Sequence, residues 1–317
     1  MILNKSNKIA FNYLISIALS ALLFWGIWVQ IKQQLSVTSF SFDSLRQHTQ
    51  YLFFAFLLMP LNIFIESKRW QSISDNAQTI SFKYAMQSVF CGIAFSVITP
   101  NRIGEYPGRI YFLKRKNVIR LIAVSVMAVL AQILVFVVLG SMGILRFHCL
   151  FSTVLIKGFS VLLIGVFIML LLSFFFFEQW MNRLARFHIF KRWKTYTYLV
   201  QKISTKEQMK VLLLSFLRVL VFSTQLVLLL WWNEINITFF DGLLMSFVFF
   251  LSIAVIPSFA FAELGIRGKM SLFLFSSFSS NAIGIIMAIF ILWCINLLVP
   301  ALFGYFILLK NKLLLKK

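Results

Sequence analysis

The stretch TPNRIGEYPGR, residues 99–109, interrupts a chain of 317 residues that is 61% hydrophobic. It places two prolines, two glycines, two arginines and a glutamate directly after the apolar run from Tyr84 to Ile98. A helix over 84–99 would be only about 24 Å long, whereas the apolar core of a bilayer is about 30 Å thick. We therefore predict that this segment enters the membrane and turns back, so that residues 84–113 form a re-entrant hairpin.

The composition of the chain indicates its class. The mean hydropathy is +0.91 and only 12% of the residues are charged. Because about 20 apolar residues in a helix cross a bilayer, these values predict an all-α polytopic membrane protein with about six transmembrane helices. Pro300, inside the last segment, is expected to kink that helix or to end it early. The predicted crossings are residues 9–30, 48–66, 118–140, 158–177, 211–232 and 281–308.

The positive charges predict the orientation. Lysine and arginine give the chain a net charge of +21, and eight of them lie in the loop 178–210, whereas the loop 233–241 contains none. Basic residues are retained on the cytoplasmic side of membranes. If 84–99 crossed the membrane, the basic cluster 114–116 and the loop 178–210 would both lie outside. We therefore predict a bacterial cytoplasmic (inner) membrane protein with both termini cytoplasmic, and no nucleic-acid partner, since no basic binding motif accompanies the charge.

A second short apolar segment, 243–256, resembles the first. It leads into IPSFAFAELGIRG, residues 256–268, in which Pro257, Glu263 and Arg267 repeat the order of Pro100, Glu105 and Arg109. Each half of the chain then contains an odd number of crossings, so the halves are inverted relative to each other. We predict one membrane domain over 1–317, divided into repeats 1–157 and 158–317 in a 3+3 inverted repeat, with a second re-entrant hairpin over about 243–279.

The polar hairpin tips are the candidate site. Charged groups at membrane depth normally pair or face a cavity, and arginine presents a planar set of donors that suits a phosphate. The predicted substrate-binding residues are Arg102, Glu105, Arg109, Glu263 and Arg267. The predicted structural residues of the tips are Pro100, Gly104, Pro257 and Gly265. The alternative is that the two Glu–Arg pairs only stabilise their own helices at i,i+4 spacing, and that Arg102 extends to the cytoplasm.

Other polar residues lie inside the predicted crossings. Glu66 is expected to pair with Lys68 or Arg69 at the membrane interface, and Arg218 either extends to the cytoplasm or lines the core. Glutamine and asparagine inside membrane helices more often form hydrogen bonds between helices than bind ligands. We expect this role for Gln132, Gln225 and Asn296. We predict no catalytic residue, no cofactor and no metal site. The histidines His48, His148 and His188 have no partners at metal-ligand spacing, and no nucleotide-binding motif is present.

Three short motifs resemble one family. They are PNRIGE (100–105), PSFAFAELGIR (257–267) and NIFIESKRW (62–70). They resemble the lysylphosphatidylglycerol synthase transmembrane family, also called flippase-like integral membrane proteins. The resemblance implies a membrane region that translocates an aminoacylated phospholipid, while a separate soluble domain performs aminoacyl transfer. The short basic tail here leaves no room for such a domain, so synthesis of that lipid is not implied. Carried over by motif, the resemblance points to Pro100, Arg102, Gly104, Glu105, Pro257, Glu263, Gly265 and Arg267.

These observations favour a lipid flippase-like transporter that moves or binds a phospholipid or another lipid-linked anionic headgroup, with membrane lipid as its partner. The alternative is a membrane-embedded enzyme, or an accessory subunit, that acts on a lipid-linked substrate. An enzyme of lipid or glycan synthesis would then dock on the basic loop 178–210. Retention of that loop in the cytoplasm explains its charge more simply.

Overall fold

The computed structural model describes residues 48–75, 78–99, 104–110, 118–148, 165–176, 204–256 and 260–314, together with Gln179 and Arg183. Within these ranges the chain forms helices joined by turns, with no strand. The helices are α1 (Thr49–Ser74), α2 (Phe82–Ile98), α3 (Glu105–Ile110), α4 (Val118–Arg146), α5 (Gly165–Phe175), α6 (Thr205–Trp232), α7 (Phe239–Val255), α8 (Ala260–Phe275), α9 (Ala282–Trp293) and α10 (Val299–Leu314). The all-α prediction is confirmed.

Four of the described helices are long and apolar enough to cross a membrane. They are α1, α4 from Ser125 onward, α6, and the continuous helical segment from Ala282 to Lys310, which contains α9 and most of α10. Each coincides with a predicted crossing, because a run of about 20 apolar residues needs no tertiary context to indicate a membrane helix. The predicted crossing at 9–30 lies outside the described residues, and that at 158–177 is described only from Gly165, as α5.

Helix α1 extends well beyond the predicted end at residue 66. Its first half exposes large apolar side chains such as Phe53, Phe54 and Leu57. Its last four turns bury polar and charged side chains, including Asn62, Glu66 and Arg69. The position at which the sequence becomes less hydrophobic is therefore not the end of the helix. It is the position at which exposed apolar side chains give way to buried polar ones.

Helices α2 and α3 form a hairpin in which the chain turns back on itself. A Cβ added to Gly104 would collide with the Phe95 carbonyl, and one added to Gly108 would lie 2.7 Å from the Cys91 carbonyl oxygen. Contacts between residues 104 and 95 and between 108 and 91 run in opposite chain directions, so the two helices are antiparallel. Small residues permit this close approach, and the Gly104 N–H donates to Thr99 Oγ1 at 2.7 Å.

The helices of the two halves pack against each other reciprocally. Helix α1 packs most extensively against α6, its counterpart in chain order. Helices α2 and α7 are each 17 residues long. Helix α2 packs against α10, and α7 packs against α4. Each of these two 17-residue helices thus packs against a long membrane helix that is distant in the sequence.

The last membrane helix continues through Pro300. Residues Cys294–Leu298 form a π-helical turn, in which the Val299 N–H donates to the carbonyl of Cys294. In a regular α-helix the N–H of residue 300 would donate to the carbonyl one turn earlier, but proline has no N–H. The wider π-helical turn before Pro300 changes which carbonyls the neighbouring N–H groups contact, so the helix can continue. Of the two outcomes expected for Pro300, an early end is therefore wrong. The turn also places Asn296 toward α1 and α6.

A glycine-to-alanine pair tests the packing of α10 on α2. A Cβ at Gly304 would overlap the Phe90 carbonyl, whereas one at Gly165 on α5 would meet no atom within 4 Å. We expect Gly304→Ala to lower the free energy of unfolding by about 1–3 kcal/mol, because backbone atoms cannot yield as a flexible side chain can. Gly165→Ala should leave it unchanged or raise it by up to about 1 kcal/mol. Unfolding in mixed detergent micelles measures both, and equal effects would contradict the packing.

Candidate functional site

Glu66 on α1 lies at the centre of a buried group of charges. Its side chain is 2% exposed, and its Oε1 lies 2.5 Å from Nη2 of Arg109 on α3. Its Oε2 lies 2.7 Å from Nη2 of Arg69 and 3.0 Å from Nη1 of Arg218 on α6. The two contacts of Oε2 are ion pairs without the angles of good hydrogen bonds. One carboxylate therefore holds arginines from three helices.

Arg109 joins the α2–α3 hairpin to this group. It pairs with Glu105, one turn earlier on α3, as well as with Glu66. Its guanidinium also lies 5.2 Å from the ring of Trp70, at cation–π distance. Glu105 in the first turn and Arg109 in the last turn of α3 both complement the helix dipole. We call Glu66, Arg69, Glu105, Arg109 and Arg218 the arginine cluster.

Neutral groups from two further positions fix Arg69. Its Nη1 donates to Gln132 Oε1 on α4 at 2.8 Å and to Ser215 Oγ on α6 at 3.0 Å. Ser215 in turn donates to the Val211 carbonyl at 2.9 Å. Arg69 is therefore held by α1, α4 and α6 together, which makes it a fixed part of the bundle.

A chain of amides leads from the arginine cluster along the α1–α6 interface. Arg218 Nε donates to Asn62 Oδ1 at 3.2 Å, and Asn62 Nδ2 donates to Asn296 Oδ1 at 2.7 Å. Asn296 Nδ2 donates to Gln225 Oε1 at 3.0 Å, and Gln225 Nε2 donates to the Ala55 carbonyl at 2.9 Å. We call Asn62, Asn296 and Gln225 the amide ladder. It continues the polar contacts of the cluster deep into the helix bundle.

Among the residues that the structure describes, the charges of the cluster do not balance. When all five side chains are ionised, three arginines face two glutamates, which leaves one positive charge in excess. A buried charge is costly unless it is paired, so the excess favours an anion. Access is uneven, because Glu66 is 2% exposed whereas Arg218 is 21% and Glu105 28% exposed. Arg218 and Glu105 form the accessible side of the cluster.

The structure brings together two of the five predicted binding residues. Glu105 and Arg109 form their ion pair, but Arg109 also binds Glu66 on another helix, so the pair does more than stabilise α3. Gly104 lies where α3 approaches α2 most closely, because a Cβ there would meet Phe95 and Thr99. Arg102, Pro100 and Pro257 lie outside the described residues.

The segment predicted to form the second hairpin contains α7 and α8. Glu263 and Arg267 are one turn apart on α8, whose main packing neighbours are α7 and α9. Arg267 is half-buried and Gly265 between them is buried. The arginine cluster, in contrast, lies on α1, α3 and α6.

The sequence-based site omits much of what the structure assembles. Glu66 pairs with Arg69 as expected, and both side chains are buried inside the helix bundle. Arg218 lines the core, which decides between its two predicted positions. Gln132, Gln225 and Asn296 do join helices. A signal was present, because Asn62, Glu66, Arg69 and Trp70 follow the i, i+4, i+7, i+8 spacing of one helix face.

A comparison with protein-family models matches residues 13–308 to the model described as the lysylphosphatidylglycerol synthase TM region. The chain belongs to this family. The match covers nearly the whole chain, and thus α1 to α9 and most of α10. A comparison with curated proteins gives no match.

Membership in the lysylphosphatidylglycerol synthase TM family agrees with the apolar helices of the structure. The chain is a multi-pass membrane protein. The name of the family also associates this membrane region with lipid metabolism or transport. Both the buried arginine cluster and the amide ladder lie in the part of the chain that the family model covers.

Proposed function

We propose that this chain binds the anionic headgroup of a membrane phospholipid, or of another lipid-linked compound, at the arginine cluster and moves it between the two leaflets. The excess positive charge buried on α1, α3 and α6 is the observation that supports this most strongly. Arginine forms bidentate, charge-assisted hydrogen bonds with phosphate, while the acyl chains of the lipid can remain in the bilayer.

The headgroup replaces Glu105 on the arginines. Glu105 is the more exposed of the two cluster carboxylates and belongs to a six-residue helix at the end of a hairpin. Glu66 is buried and holds three arginines, so it remains in place as the permanent counterion. Arg218, the most exposed of these arginines, makes the first contact.

The amide ladder provides the route away from the cluster. Amide side chains both donate and accept hydrogen bonds, so they can exchange their mutual bonds for bonds to phosphate or hydroxyl oxygens. In the structure the three amides bond to each other and to the Ala55 carbonyl, which closes the route. Transport therefore requires α1 and α6 to separate.

Such separation fits a protein of two inverted repeats, 1–157 and 158–317, each with a re-entrant hairpin. The reciprocal packing of α2 on α10 and of α7 on α4 supports this division. Opposed repeats commonly rock around a site near the middle of the membrane, which exposes it to each side in turn. The α1–α6 interface lies between the repeats, where such a motion would open the route.

Reconstitution into liposomes with a leaflet-specific label on an anionic phospholipid tests this proposal. We expect the protein to increase the rate at which inner-leaflet label becomes accessible from outside, compared with protein-free liposomes. The lipid composition should remain unchanged. Appearance of a new lipid species would instead favour the enzyme alternative, and a rate equal to that of empty liposomes would contradict transport.

Glu105→Gln tests the exchange of carboxylate for headgroup. Glutamine keeps the size of the side chain but no longer competes for Arg109, so anionic phospholipid should bind about fivefold more tightly, equivalent to about 1 kcal/mol. Transport should fall, because the carboxylate that displaces the headgroup is missing. Lipid titration in nanodiscs measures binding and the liposome assay measures transport. Weaker binding in Glu105→Gln would contradict the exchange.

A further inference from the structure

A second polar site lies at the opposite ends of α1 and α6. The contacts of Asn62 with Arg218, Ala55 with Gln225 and Tyr51 with Trp231 show that the two helices are antiparallel. Tyr51 is fifteen residues before Glu66 on α1, which places it about 22 Å from the arginine cluster along the helix. The two sites are therefore separated by much of the thickness of a membrane.

An open cavity of about 570 Å³ occupies this end of the helix pair. This volume lies in the range of small-molecule sites in proteins. Its described lining consists of His48, Tyr51, Trp231, Glu234, Ile235 and Asn236, and we call it the aromatic pocket. None of these lining residues is a lysine or arginine, although the chain as a whole has a net charge of +21.

Three rings form one side of the aromatic pocket. The rings of Tyr51 and Trp231 lie 5.5 Å apart at an interplanar angle of 59°, so they form a corner, and His48 stacks on Tyr51 at 6.0 Å. Trp231 Nε1 donates to the Ile237 carbonyl at 2.8 Å, which fixes the orientation of the indole. Tryptophan and tyrosine faces carry the negative potential that attracts organic cations.

Glu234 brings a carboxylate into the lining of the same cavity. Its φ is 58°, and among the described residues it is the one non-glycine residue with a positive φ. This is the left-handed position that ends α6, because the Glu234 N–H donates to the Trp231 carbonyl at 3.0 Å and the Ile235 N–H donates to the Leu230 carbonyl at 3.0 Å. A belt of interfacial aromatic residues would explain Tyr51 and Trp231 alone. It does not explain a carboxylate in the lining of the same cavity, on the turn that ends α6.

From this combination we infer that the aromatic pocket binds a quaternary ammonium group. Ring faces at an angle and an adjacent carboxylate are the recognised features of such sites. The loop 233–241 without basic residues places the pocket on the non-cytoplasmic side in the predicted topology. The ammonium group can belong to a free solute or to a phosphocholine headgroup in the membrane. The inference does not depend on the transport proposed above, since it concerns other residues.

Binding of choline to the purified protein in phosphatidylglycerol nanodiscs tests the inference. We expect saturable binding of choline by calorimetry, and no binding of its neutral isostere 3,3-dimethyl-1-butanol. Addition of phosphatidylcholine to the nanodiscs identifies the source. If it competes with choline, a lipid headgroup can also occupy the pocket, and if it does not, the ligand is a free solute. If neither choline nor phosphatidylcholine binds, the inference is wrong.

Two substitutions link any binding to the aromatic pocket. Glu234→Gln should weaken choline binding about tenfold, and Trp231→Leu should weaken it by a similar factor. Glu234 is exposed, so its substitution should not prevent folding. Asp241→Asn is the matched control, because Asp241 lies on the same side of the bundle but does not line the pocket. Equal affinity in wild type and Glu234→Gln, or equal binding of the neutral isostere, would overturn the inference.

Discussion

Glu66→Gln is expected to lower the free energy of unfolding by about 3–5 kcal/mol, the usual effect of removing one partner from a buried ion pair. Glutamine preserves the shape of the side chain but removes the ion-pair partner that the described residues give to Arg69 and Arg218, and it leaves Arg109 its ion pair with Glu105. Because Glu66 holds three helices together through these contacts, its loss should also loosen the packing of the α2–α3 hairpin against α1.

Unfolding in mixed detergent micelles, followed by circular dichroism, measures this effect. Glu207→Gln is the matched control, because Glu207 is a charged residue in the capping box at the exposed start of α6. Glutamine serves in a capping box nearly as well as glutamate, so this change should be below about 1 kcal/mol. If Glu66→Gln were as mild as the control, Glu66 would not be the buried counterion of the arginines.

Arg218→Gln is expected to lower the rate of anionic phospholipid transport at least tenfold, which corresponds to about 1.4 kcal/mol. This substitution removes the excess positive charge, because two arginines then face two glutamates. It also removes the most exposed arginine and its bond to Asn62, the first amide of the ladder. Its effect on unfolding should be smaller than that of Glu66→Gln, since Glu66 keeps two arginine partners.

The liposome assay with a leaflet-specific label measures this rate. Arg146→Gln is a matched control, because Arg146 is 57% exposed and pairs with Asp241 at 3.3 Å, away from the cluster. It should transport at the wild-type rate. Arg218→Lys retains the charge without the planar fork of donors and should give an intermediate rate. Transport by Arg218→Gln at the wild-type rate would show that the arginine cluster is not part of the transport route.

The membrane helices could be predicted from the sequence because their signal is local. A run of apolar residues long enough to span a bilayer forms a helix whatever lies beside it, and α1, α4, α6 and the last membrane helix confirm this. The ends of the helices could not be predicted as well. Helix α1 continues past Glu66 because its polar last turns are buried by other helices, which hydropathy does not register.

The arginine cluster could be predicted only in part. Glu105 and Arg109 are one turn apart, so their pairing follows from helix geometry alone. Glu66 and Arg109 are 43 residues apart, and only the packing of α3 on the rest of the bundle brings them into contact. The sequence indicated that Glu66 and Arg218 were unusual inside apolar helices. It contained nothing to show that they meet.

Photo-crosslinking from the headgroup of an anionic phospholipid tests the headgroup site most directly. A lipid with a photoreactive group beside its phosphate would be added to the reconstituted protein, and the labelled peptides identified by mass spectrometry. We predict labelling of residues 62–69 and 215–225, which decreases when unlabelled anionic lipid is added and in Arg218→Gln. Labelling confined to the exposed apolar surface, such as Phe53 and Phe54 on α1, would contradict a headgroup site at the arginine cluster.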